Sequence, residues 1–94
     1  METREALQKK LEAQLTEVRA EIDKIEAQAK AKGADAEIEA KRQLDQLREK
    51  RARTEHKLED LKRSGEGAWA DAKAGMELAM TDLKAALESA RSRF

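Results

Sequence analysis

The sequence predicts an all-α fold: a long charged coiled-coil helix followed by a shorter amphipathic helix, self-associating through their apolar stripes. Three observations predict it. Charged residues make up 43% of the 94 residues and aromatics 2%, with no Pro and no Cys, the composition of long-helix proteins. Apolar residues recur every three or four positions, the helical period. And the chain has one strong break, Ser64-Gly65-Glu66-Gly67, which holds two of its four glycines. One domain spanning 1–94 is expected, with the long helix over about 3–63, the break at 64–67 and the second helix over about 68–92.

The first helix opens at Thr3, whose hydroxyl can cap exposed backbone N–H groups, with Glu5 facing the positive end of the helix dipole. Leu7, Leu11, Leu15, Val18, Ile22, Ile25 and Ala29 then follow at spacings of 4-4-3-4-3-4. The β-branched Val18, Ile22 and Ile25 sit mid-stripe, where oligomer state is set in coiled coils. Around the stripe the surface carries acid-first i,i+4 pairs: Glu5–Lys9, Glu26–Lys30, Glu37–Lys41, Glu49–Arg53 and Glu59–Arg63. Each adds about 0.2–0.5 kcal/mol to an isolated helix without choosing a partner for it.

The stripe thins to Ala29, Ala36 and Ala40 around Gly33. Glycine inside a helix costs about 1 kcal/mol relative to alanine. It can equally end one helix, with Asp35 capping the next. Ala36, Ala40, Leu44 and Leu47 keep the earlier phase, which favours one unbroken helix. The alternative is a three-helix bundle with turns near Gly33 and Gly65. Leu58 and Leu61 complete the stripe, and Arg51 and Thr54 occupy stripe positions that read as a locally solvated seam.

Gly65 and Gly67 are expected to form a hinge after Lys62 and Arg63, with Ser64 or Gly67 capping the second helix. The segment beyond, AWADAKAGMELAMTDLKAALESARSRF, is an internal repeat of period eleven, about three helical turns. Trp69, Ala72, Met76, Met80, Leu83, Leu87, Ala90 and Phe94 fall on one stripe. Unbroken, the first helix would run about 90 Å at 1.5 Å per residue, with nothing to cover its stripe. So the second helix folds back, chains associate, or both. The expected packing interface is Leu11, Leu15, Val18, Ile22, Ile25, Leu44, Leu47, Leu58, Leu61, Trp69, Met76, Met80, Leu83 and Leu87, and the expected partner is a second copy of the chain, as dimer or higher oligomer.

Catalytic chemistry finds no support. The single histidine, His56, falls on the outer face and lacks the Glu three residues earlier that a helical di-metal site uses; Arg53 stands there. Without cysteine there is no thiol chemistry and no zinc-ligand set. Gly65-Glu66-Gly67 is not followed by the Lys and Ser/Thr of a phosphate cradle. No cofactor is expected. Lys plus Arg equals Asp plus Glu at 20 each, so the basic excess of a nucleic-acid binder is missing. The cluster Arg48, Lys50, Arg51, Arg53 and Lys57 has no aromatic neighbour on which bases would stack. A lipid surface is the alternative partner for the second helix. Its own charges cancel, so attraction to anionic lipid is missing and packing on another helix is favoured. A cytoplasmic location is the default, since no apolar run has membrane-span length and no signal-peptide pattern opens the chain.

The run from Ser64 to Phe94 resembles the C-terminal signature of a family of small bacterial coiled-coil proteins. That signature reads approximately Ser-Gly-x-x-Trp-x-Asp-x-Lys-x-Gly, with a second copy and a Ser-x-Phe-like end. Here Trp69, Asp71, Lys73 and Gly75 carry the likeness in that spacing, and Ser64-Gly65 precede Trp69 with one residue more between them. Met80 stands where the second copy would hold Trp, and Gly33 interrupts a segment usually free of glycine. The resemblance implies bacterial origin, a stress-associated role and no catalytic residues. The function expected from both readings is that of a non-enzymatic structural or interaction protein, with peripheral lipid binding as the alternative.

Overall fold

The computed structural model describes residues 3–94, so the first two residues of the expected domain lie outside the described residues. The described chain forms three helices: α1 (Arg4–Lys32), α2 (Ala34–Arg63) and α3 (Trp69–Arg91). They pack up-down-up into a rod of 50 × 18 × 17 Å. The 30 residues of α2 account for about 45 Å of its length.

The expectation of one unbroken helix over 3–63 is corrected at a single residue. Gly33 has φ 109° and ψ 177°, a backbone region essentially closed to residues with a Cβ. Its N–H donates to the Lys30 carbonyl at 3.2 Å and closes α1, while its carbonyl accepts from the Glu37 N–H at 3.1 Å and opens α2. One glycine therefore reverses the chain, and the three-helix alternative is the fold. Asp35 does not cap α2. Gly33 holds the N-cap position with no side-chain hydrogen bond, and Asp35 and Glu37 lie in the first turn, facing the positive dipole end.

The other ends follow from local chemistry. The Ala6 N–H donates to Thr3 Oγ1 at 3.0 Å, and Lys30 and Lys32 occupy the last turn of α1. At the end of α2 the Ser64 hydroxyl donates to the Leu61 carbonyl at 2.8 Å. Ser64 thus closes the helix before it rather than capping the one after; Ala68 opens α3 without a side-chain cap. Gly65 and Gly67 lie in the turn between, with the Ala68 N–H donating to the Gly65 carbonyl at 3.1 Å.

The three stripes meet in one core. Leu7, Leu11, Leu15, Val18, Ile22, Ile25 and Ala29 come from α1; Ala40, Leu44, Leu47, Leu58 and Leu61 from α2; Met76, Met80, Leu83, Leu87 and Ala90 from α3. Fully burying one such large side chain stabilises by roughly 1.5–3 kcal/mol. Thr54 is buried among them at 1% exposure, which corrects the solvated-seam reading at that position. Its hydroxyl donates to the Lys50 carbonyl one turn earlier at 2.8 Å, so the polar group is satisfied within its own helix. The neighbouring stripe position differs. Arg51 keeps its side chain partly exposed and lies 3.4 Å from Glu55.

Candidate functional site

The stripe residues expected to form the interface are brought together, but within one chain. All of Leu11, Leu15, Val18, Ile22, Ile25, Leu44, Leu47, Leu58, Leu61, Met76, Met80, Leu83 and Leu87 are buried, and half-buried Trp69 packs against their edge. The stripe surfaces that an oligomer was expected to use are thus occupied by intramolecular packing. Much of what faces solvent is charged, and the charges between helices are regularly arranged.

A ladder of ion pairs links α1 to α2. Lys62 Nζ lies 2.6 Å from Glu12, Arg19 donates to Glu55 at 2.8 Å, and Arg48 donates to Glu26 at 2.8 Å. Residues 12, 19 and 26 are a heptad apart, as are 48, 55 and 62, and each pair's numbers add to 74. The order is acid, base, acid on α1 against base, acid, base on α2. Sliding either helix by one heptad would set Glu12 against Glu55 and Arg19 against Arg48, or Arg19 against Lys62 and Glu26 against Glu55. Every pair would then be of like sign. The ladder therefore specifies the register of the hairpin as well as adding to its stability. Lys50–Asp82 at 2.7 Å ties α2 to α3, and Arg91–Glu21 at 3.6 Å ties α3 to α1.

Two of these groups titrate away from their ordinary values. The hydrogen bond from Arg48, with the charges of Arg48 and Lys30, holds the Glu26 carboxyl below 4.5. The hydrogen bond to Glu12 outweighs partial desolvation and holds the Lys62 ammonium above 10.5. Both shifts express pairing.

Each end of the rod is closed by a cation against an aromatic ring. Arg4 lies 4.2 Å from the centre of the Trp69 ring and donates to the Ser64 carbonyl at 2.6 Å. At the far end Lys32 donates to the Phe94 carbonyl at 3.2 Å and sits 6.0 Å from its ring centre. The only Trp and only Phe thus mark the two ends of the bundle. Sequence reasoning placed both rings on the α3 stripe and missed their cations. The signal available was a basic residue at each end of α1.

The surface clefts are open grooves between helices. One of about 420 Å³ lies beside the Gly33 turn, floored by Ala29, Ala34, Ile38 and Leu44 and rimmed by charges including Glu26, Lys41 and Arg48. His56 lines another with Glu12, Thr16, Arg19, Glu55 and Glu59, and is exposed. Among the described residues no group of three or more His, Asp or Glu is placed to hold a metal ion. No described helix is long and apolar enough to cross a membrane. No family model, curated protein or solved structure matches the chain.

Proposed function

We propose that this chain is a non-enzymatic structural and interaction protein, a short helical rod that presents charged faces to a protein partner. The observation that carries this reading is how fully the fold uses its apolar stripes. Among the described residues, Ile38 and Leu78 are the large apolar side chains left exposed, at 74% and 72%. The clefts are lined by charges already engaged in pairs, such as Glu26–Arg48 and Arg19–Glu55. Titratable groups perturbed by burial, which catalysis would use, are not what distinguishes this surface. Its regularity suits recognition of a shape and a charge pattern. The resemblance of the Ser64–Phe94 run adds bacterial origin and a stress-associated role to the proposal, with the cytoplasm as its place.

Peripheral lipid binding is the less supported reading. The α3 residues that would enter a lipid surface, Met76, Met80, Leu83 and Leu87, face the core, so α3 would first have to undock. Photo-crosslinking from Leu78 in bacterial cells tests the interaction reading. Discrete protein adducts that increase under stress, and that disappear when excess uncrosslinkable chain competes, support it. Adducts to lipid alone, or none from Leu78 and none from Ile38, contradict it.

A further inference from the structure

A single residue, Gly33, separates α1 from α2, and the helices on either side of it are in phase. Positions 29, 33, 36 and 40 follow at 4-3-4, the spacing of the stripe before and after them. If Gly33 took helical dihedrals, the stripes of α1 and α2 would join as one stripe on one face of a helix from Arg4 to Arg63. The ion-pair ladder has a matching symmetry. Because Glu12–Lys62, Arg19–Glu55 and Glu26–Arg48 each add to 74, two such helices laid antiparallel about position 37 set each residue opposite its present partner. These three α1–α2 ion pairs are then remade between chains.

We propose that the protein forms a domain-swapped dimer in which Gly33 is helical and α1 of each copy packs on α2 and α3 of the other. The partner is a second copy of this chain, and the hinge is Gly33. The backbone at Gly33 permits the exchange, since glycine is free to take either conformation. The hairpin holds it at φ 109°, while straightening gives ordinary helical dihedrals and restores the hydrogen bonds lost at the turn. Short links between well-packed elements are the usual sites of such exchange. The third helix fits as well. Phe94 lies beside Lys32, five residues or about 7.5 Å of helix short of position 37, so the two copies of α3 end about 15 Å apart along the rod and do not overlap.

Gly33→Ala isolates the hinge. A Cβ at Gly33 meets no atom within 4 Å, so the substitution strains only the positive φ of the hairpin and suits the straight helix. Light scattering across a concentration series should show the dimer dissociation constant falling at least about tenfold, since both hinges of the dimer lose the glycine penalty. Thr16→Cys with Glu59→Cys then reports connectivity, because these residues line one groove between α1 and α2 and the native chain has no cysteine. A thiol crosslinker applied to the dimer peak should give covalent dimers on a denaturing gel. Intrachain products from that peak would mean two intact hairpins side by side and would overturn the swap, as would a Gly33→Ala chain that stays monomeric at its highest soluble concentration. Should Gly33→Ala not fold, the otherwise native double-cysteine chain, refolded at high concentration, decides alone. Interchain products support the exchange; intrachain products, or no dimer peak, refute it.

Discussion

Leu83 and Leu78 lie five residues apart on α3, and the fold treats them oppositely: Leu83 is 0% exposed and Leu78 is 72% exposed. Truncating each to alanine removes the same atoms from two environments. At Leu83 the loss combines the transfer energy of the removed methyl groups with the cavity they leave, about 2–5 kcal/mol in well-packed cores. A 94-residue domain is stable by about 5–14 kcal/mol in all, so Leu83→Ala removes a large share of that. At about 4–8 °C per kcal/mol for a domain of this size, the melting temperature should fall by roughly 8–40 °C. Leu78→Ala should shift stability by no more than about 0.5 kcal/mol. Thermal melts by circular dichroism on both variants make the comparison. The core is intramolecular, so dilution of the monomeric fraction should leave both melting temperatures unchanged. Equal effects from the two substitutions would refute the docking of α3 through its Trp69–Leu87 stripe.

The charge ladder predicts that Glu12→Lys lowers the melting temperature by placing two cations together, and that adding Lys62→Glu restores it; a double variant no better than the single would remove the register argument. The pH dependence has a definite sign at each end. Glu26 is held below its unfolded value, so its contribution is present above about 4.5 and is lost as pH falls through the folded value. Lys62 is held above its unfolded value, so its contribution is present below about 10.5 and is lost as pH rises through the folded value. Melts of Glu26→Gln should therefore differ from those of the native chain at neutral pH and converge with them in acid. Arg4→Ala should lower stability by about 1–2 kcal/mol, through the lost bond to Ser64 and the uncovered Trp69 face, and shift Trp69 emission to the red. An unchanged emission maximum would mean that Arg4 does not cover the ring.

The stripes were legible because burial on a helix has a fixed period, and Leu11 to Ile25 and Met76 to Leu87 keep it without exception. The turn at Gly33 was not, for a related reason. A one-residue link leaves the stripe in phase, so periodicity cannot tell a reversal there from a continuous helix. The local signals, one glycine and Asp35 shortly after it, fit both. Interhelical pairs were hidden by nearer candidates. Glu26 approaches Lys30 at 3.9 Å as the i,i+4 rule expects, yet its shorter contact is Arg48 at 2.8 Å, across the hairpin. Glu59 approaches Lys62 at 3.7 Å, a contact its i,i+4 pairing with Arg63 did not anticipate. Thr54 was read as solvated because a hydroxyl resists burial; a bond to its own helix, available to Thr and Ser but invisible to a polarity scale, satisfies it.

The chain reversal at Gly33 is the claim on which the rest depends, and one distance tests it. Spin labels at Thr16 and Glu59, in monomeric protein diluted with unlabelled chain, measure across the α1–α2 hairpin, where both residues line one groove. Packed helices lie 8–10 Å apart, so with the label linkers the distance should fall below about 25 Å. A continuous helix would separate the same residues by roughly 64 Å at 1.5 Å per residue, and that result would contradict the bundle.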